Sequence, residues 1–208
     1  MHNILLFFLG ACLGSFYLCI LDNYPYFRYH HKSCCPFCHK ALKAYQLIPI
    51  ISYVILKGKC QYCHHPLSLR YLLYELLGGL LMVGCFQHFN MFVALNIIIL
   101  VAISLADIRH GIIYDSLLII LLVIIIVYQP IHLKLSLIIL AIGSLLAICN
   151  LMGFGDVKLI AIYALFLSYK QLLLLLFIAS FLALLIAKKR EIKFAPYLSI
   201  AIISILVV

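Results

Sequence analysis

Leu117-Leu118-Ile119-Ile120-Leu121-Leu122-Val123-Ile124-Ile125-Ile126-Val127 is an unbroken run of hydrocarbon side chains. A strand with one wet face alternates apolar and polar positions, and so does a closed transmembrane barrel; this run does not alternate. It reads as a helix that is apolar on every side, which needs an apolar surround. The rest of the chain agrees. Hydrophobic residues make up 67% of its 208 residues and charged residues 10%, against roughly half and a quarter in soluble domains. A core of this size cannot hide the excess, so lipid is the solvent for most of it. The fold class expected is an all-α polytopic membrane protein.

Working outward from that run, apolar segments fall at 4–21, 71–86, 92–106, 113–128, 133–149, 157–167, 172–187 and 194–208. About eight transmembrane helices follow, several of them shorter than the roughly 20 residues a span needs. The first segment is read as a retained span. A signal peptide would carry Lys or Arg before the apolar run, and Met1-His2-Asn3 carries neither. Gln129-Pro130 breaks the segment before it, and no internal repeat or low-complexity linker is seen.

The net charge of +9 suits loops that resist translocation better than it suits nucleic acid. Residues 22–70 form the one long polar segment and hold Arg28, Lys32, Lys40, Lys43, Lys57, Lys59 and Arg70. The positive-inside rule makes this loop cytoplasmic, together with Lys188-Lys189-Arg190-Glu191-Ile192-Lys193 near the end. Three regions are expected: residues 1–21 as the first transmembrane helix, 22–70 as a cytoplasmic cysteine-rich loop domain, and 71–208 as a seven-helix membrane domain.

Five of the nine cysteines lie in that loop. Cys35-Pro36-Phe37-Cys38 and Cys60-Gln61-Tyr62-Cys63 are two C-x-x-C pairs with 21 residues between them. Each pair can aim two thiolates at one ion, and together they have the spacing of a structural tetrahedral zinc site. Cys34 could replace Cys35, and His39 and His64, each following a candidate ligand, could substitute. Unligated or redox-active thiols remain the alternative.

Acidic residues number only six, so their positions carry weight. Asp107, in Leu105-Ala106-Asp107-Ile108-Arg109-His110, ends one apolar segment. Asp156, in Gly153-Phe154-Gly155-Asp156-Val157-Lys158, precedes another. Two spans separate them, so both are expected at one membrane face, where an ionisable group is costly and is read first as functional. Adjacent carboxylates share a proton; the ionised member can take a proton from water while the protonated member polarises a carbonyl. Gly153 and Gly155 are expected to supply backbone angles closed to other residues and room for a substrate strand. The competing readings are helix capping, with Lys158 and Arg109 neutralising the acids, and proton or ion transport.

On these motifs the chain resembles the type IV prepilin peptidase family, the GxGD class of membrane aspartic peptidases. Gly153 to Lys158 is similar to its GxGDxK element, and Asp107 to Asp115 to its first aspartate motif, with Tyr114 where Pro is usual. Gly14-Ser15-Phe16 with Asp22-Asn23-Tyr24-Pro25 resembles its N-terminal signature, and Phe194-Ala195-Pro196-Tyr197-Leu198 its FGPFL element. The resemblance implies Asp107 and Asp156 as catalytic dyad, Gly153, Gly155 and Lys158 as supporting motif, and Cys35, Cys38, Cys60 and Cys63 as zinc ligands.

It further implies a membrane endopeptidase that removes the basic leader of type IV prepilins or pilin-like proteins at the cytoplasmic face of a bacterial inner membrane. Bifunctional members then methylate the new N-terminus with S-adenosylmethionine. Leu69-Arg70-Tyr71-Leu72-Leu73-Tyr74-Glu75 is similar to their R-Y-x-x-x-E run. Glu75 is expected either to contact substrate or methyl donor or to pair with Arg70. Alternatives from other classes are an ion-coupled transporter using the two aspartates and a zinc-stabilised interaction module without catalysis.

Overall fold

The computed structural model describes residues 2–23, 33–35, 37–128, 132–186 and 193–207. Among them the secondary structure is helical apart from isolated bridges in the cysteine loop. Pro25, Lys32, Pro36, Gln129-Pro130 and the Lys188-Lys189-Arg190 cluster lie outside the described residues. The chain divides into two compact units, Met1–His88 and Phe89–Val208, so its division falls about eighteen residues past the end of the polar loop, nearer the end of the next apolar segment.

In the first unit α1 (His2–Asn23) packs along α3 (Leu69–His88). The two run antiparallel, since Gly14 meets Tyr74 and Gly10 meets Gly78. A Cβ on Gly10 would meet the carbonyl of Gly78 and stand 2.6 Å from Cβ of Met82. Small residues let two backbones approach where lipid gives helices no hydrophobic reason to associate. Between these helices lie a 3₁₀ turn (Ala44–Leu47) and the short α2 (Ile51–Ile55).

The loop contains a repeat that the sequence reading missed. Cys35-x-x-Cys38-His39-Lys40-Ala41-Leu42 and Cys60-x-x-Cys63-His64-His65-Pro66-Leu67 fold alike. Bridges join Cys34 to Ala41 and Lys59 to Pro66. The backbone N–H of His39 donates to Cys35 O, and that of His64 to Cys60 O, both at 2.9 Å. His39 and His64 sit at φ 54° and 56°, a left-handed corner that histidine tolerates better than most residues with a Cβ. They turn the two knuckles.

The second unit holds α4 (Met91–His110), α5 (Asp115–Tyr128), α6 (Leu133–Ile148), α7 (Phe154–Ala164), α8 (Tyr169–Ile186) and α9 (Ala195–Val207). Asn90 caps α4 by accepting from the backbone N–H of Val93 at 2.9 Å. α4 packs on α5 and α9, α7 on α5 and α6, and α8 on α9. Leu100, Ile103, Leu159, Leu198 and Ile202 are buried in the centre. Tyr163, also fully buried, donates its hydroxyl to Asn96 Oδ1 at 2.7 Å, and Asn96 Nδ2 donates to Phe92 O at 2.8 Å. A buried polar pair of this kind is tolerated because each group is satisfied. Large apolar side chains such as Leu145, Phe177 and Leu184 face outward, as a lipid-solvated surface requires.

Among the described residues, each of the eight expected apolar segments carries a helix over most of its length. Four helices, in α1, α3, α4 and α8, are long and apolar enough to cross a membrane, while α5, α6 and α9 are apolar but shorter. α7 has 11 residues, about 16 Å at 1.5 Å per residue, roughly half the hydrocarbon thickness. The described structure therefore supports a multi-helical membrane protein and a count of four clear spans.

Candidate active site and metal centre

Asp107 occupies the last turn of α4. Gly111 ends that helix at φ 67°, and its N–H returns to Asp107 O at 2.8 Å. A left-handed cap of this kind favours glycine because it lacks a Cβ. Asp107 is only 7% exposed, and its Oδ2 is buried without a hydrogen-bond partner among the described residues. The backbone N–H of Ala195, the first residue of α9, lies against the same carboxylate, and the charge of Lys193 acts on it. Lys193 Nζ also donates to Ile108 O at 2.6 Å, which ties the end of α4 to the approach to α9.

Asp156 stands in the first turn of α7, ahead of the apolar stretch that follows it. Burial, and then the nearby charge of Asp107, push its pKa up to about 7. Like charges that act on one another in this way resist ionising together.

The two glycines act differently from expectation. Neither Gly153 nor Gly155 has a positive φ; Gly153 is extended at φ −71°, ψ 138°. Their contribution is space. A Cβ on Gly153 would stand 3.1 Å from Asp156 Oδ2, and one on Gly155 would stand 2.9 Å from Cβ of Ile113. The first glycine leaves room for the carboxylate, and the second lets α7 close on the segment between α4 and α5.

Lys158 does not neutralise the dyad. It donates to Asp115 Oδ1 at 2.6 Å, with side chains 46% and 69% exposed. The acid in the first turn of α5 and the lysine of α7 clamp those helices at their polar ends.

In the first unit, the sulfurs of Cys35, Cys38, Cys60 and Cys63 all lie within 4.8 Å of one another. Cys35 Sγ is 3.9 Å from Cys63 Sγ, and Cys38 Sγ is 4.0 Å from Cys60 Sγ. Sulfurs 2.3 Å from a tetrahedral zinc stand about 3.8 Å apart, so the cluster fits that ion. Cys34, His39 and His64 are outside it. Backbone N–H groups of Cys63 and Tyr62 pull the Cys60 thiol down to about 6. The His65 backbone N–H pulls Cys63 the same way, but burial and its sulfur neighbours push it up to about 11. A metal would displace the remaining protons.

Glu75 has contacts the sequence did not signal. It is 6% exposed and accepts from Ser15 Oγ and from the backbone N–H of Ile50, each at 2.7 Å. These partners, rather than Arg70, hold its carboxylate. Ile50 has φ 65°, a strained angle for a β-branched residue, and the buried carboxylate anchors its N–H at the start of α2. Ser15, Lys193 and Ala195 belong to these sites and were not singled out individually. The short motifs containing Ser15 and Ala195, and the basic cluster from Lys188 to Lys193, pointed near them.

Residues 8–89 match the family model described as the bacterial peptidase A24 N-terminal domain, and residues 94–188 match the one described as the type IV leader peptidase family. Three proteins named prepilin leader peptidase/N-methyltransferase are similar to the chain. The Neisseria gonorrhoeae protein is 32% identical over 81% of this chain and 68% of its own. The Legionella pneumophila protein is 31% identical over 82% and 70%, and the Myxococcus xanthus protein is 38% identical over 42% and 27%. The chain therefore spans about two thirds of the length of two of these relatives and about a quarter of the third. No solved structure matches.

Proposed function

Since the chain belongs to the type IV leader peptidase family, we propose that it is a bacterial membrane aspartic endopeptidase that removes the basic leader of prepilins or pilin-like proteins. The observation that carries this reading is the Asp107–Asp156 pair: two carboxylates on different helices, close enough for one to raise the other's pKa. Nothing favours the transporter alternative over it.

In the proposed reaction the pair holds one proton. The ionised carboxylate takes a proton from water as the water oxygen bonds to the scissile carbonyl carbon. The protonated carboxylate gives its proton to the carbonyl oxygen. On collapse the first carboxylic acid protonates the leaving nitrogen, the C–N bond breaks, and the second carboxylate recovers its proton. The cytoplasmic face is the proposed site of cleavage, since the Lys- and Arg-rich loop favours that side.

Cys35, Cys38, Cys60 and Cys63 would hold a structural zinc, which would staple a loop with few large apolar residues. The relatives' names support methylation of the new N-terminal amine, with S-adenosylmethionine as donor. Glu75 is occupied by Ser15 and Ile50, so no residue here is assigned to the donor.

The test is mass spectrometry of a pilin-like substrate's N-terminus after co-expression with the full chain. Loss of the leader supports the reading and an added 14 Da the methyl transfer, about the mass of one CH₂. An intact leader rules out the peptidase.

A further inference from the structure

We propose that Asn96 and Tyr163 are positioning residues for the two aspartates: their buried hydrogen bond fixes how α4 and α7 are turned, and so holds Asp107 and Asp156 toward one another. The inference rests on the peptidase reading above and deepens it.

The bond stands among apolar side chains. Asn96 and Tyr163 are both fully buried. The Tyr163 hydroxyl donates to Asn96 Oδ1 at 2.7 Å, and Asn96 Nδ2 donates to Phe92 O at 2.8 Å. The amide is thus held by its own helix on one side and takes the phenol of α7 on the other. A polar group in such a place is costly unless satisfied. Where one sits in an apolar seam between helices, it selects the single arrangement that pairs it.

The spacing joins this bond to the carboxylates. Asp107 follows Asn96 by 11 residues, and Tyr163 follows Asp156 by 7. At about 3.6 residues per turn, each interval is a whole number of turns to within about 20°. Asn96 and Asp107 therefore share one face of α4, and Asp156 and Tyr163 share one face of α7. Leu100 and Ile103 continue the first face and Leu159 and Ile160 the second, and all four are buried. Turning either helix to break the Asn96–Tyr163 bond would turn its aspartate away as well.

Apolar packing does not fix that rotation by itself. α4 and α7 share α5 as a neighbour, and burial of apolar surface has no direction, whereas a hydrogen bond has one. The other end of α7 is held by close approach. A Cβ on Gly155 would stand 2.9 Å from Cβ of Ile113, just beyond α4. The short α7 is therefore fixed at two points, by lack of a side chain beside Asp156 and by a polar bond two turns further on.

The experiment is the pH profile of leader cleavage by the full chain in detergent. The substrate is a synthetic peptide, a basic leader followed by an apolar helix. Tyr163→Phe and Asn96→Leu are each expected to lower kcat about tenfold with KM changed less than about twofold. Each is also expected to move the basic limb down by roughly half a pH unit, because carboxylates farther apart raise one another less. The other groups at that end of the packed helices are Arg109, His110, Asp115, Cys149, Lys158 and Lys193, with the phenols of Tyr114 and Tyr197; the variants alter none of them. The double variant is expected to be no slower than the slower single one, since the same bond is lost. Ser104→Ala removes a bond that stays within α4, from Oγ to Leu100 O at 2.8 Å, and is expected to keep both rate and limb. A lower rate with an unmoved limb, as from a smaller folded fraction, overturns the proposal. So do wild-type kinetics in Tyr163→Phe, or losses that multiply in the double variant. If Asn96→Leu does not fold, the limb of Tyr163→Phe, which loses a single oxygen, decides alone. Failure of the wild-type chain to cleave would instead defeat the peptidase reading itself.

Discussion

Lys158 Nζ lies 2.6 Å from Asp115 Oδ1, so the cation of the GxGDxK element neutralises an acid outside the proposed dyad. Both partners are well exposed, and an exposed pair is worth about 0 to 1 kcal/mol. Lys158→Met is therefore expected to lower thermal stability only slightly. Its effect on leader cleavage is expected to stay below about tenfold, because the pair positions α5 and α7 without contacting the reacting atoms. Calorimetry in detergent with an initial-rate assay measures both. A loss as complete as that of an aspartate variant would show Lys158 acting on the chemistry directly.

Gly153→Ala tests whether space is what this glycine supplies. The added methyl would stand 3.1 Å from Asp156 Oδ2, and the carboxylate would have to move. A displacement near 1 Å in a catalytic group can cost about a hundredfold in rate. Expected is a kcat lowered about ten- to a hundredfold with helical content unchanged by circular dichroism. An unaltered kcat would contradict the crowding argument.

The pH dependence follows from Asp156, with its pKa near 7. The folded protein binds this proton more tightly than the unfolded chain, whose aspartates titrate near about 3.9. Its contribution to stability is therefore greatest at low pH and is lost as pH rises through about 4 to 7. The proposed reaction requires the pair to hold one proton, so the basic limb of the rate profile is expected near pH 7. A full rate persisting two units above neutrality would contradict the proposed need for a proton on the pair.

Much of this was legible in sequence because lipid removes the usual ambiguity. A helix such as α5 is apolar all round, so its position is written as an uninterrupted run. The placement of Asp107 and Asp156 at helix ends was legible because an acid at the end of such a run is rare. What the sequence did not convey was tertiary. Nothing in Ser15 or Ile50 announces that both bind Glu75, and nothing local joins Lys193 to Ile108. The glycines were misread because neighbours, rather than φ, decide their use. The knuckle repeat was present as C-x-x-C-H-x-x-L and was passed over, because its two copies differ at most other positions.

That repeat yields a prediction for the metal. Cys35→Ser with Cys60→Ser is expected to remove about one equivalent of zinc per chain, whereas Cys34→Ser is expected to retain it, because Cys34 lies outside the sulfur cluster. Metal analysis of the purified variants distinguishes them. Equal zinc in the double variant and the wild type would refute the four-sulfur assignment.

The shared proton of Asp107 and Asp156 is tested most directly by replacing each with Asn, which keeps the shape and removes the titratable group. The substrate is a co-expressed pilin-like protein whose N-terminus is read by mass spectrometry. Both single variants should leave the leader attached while their zinc content matches that of the wild type. Leader removal by both variants would contradict the account.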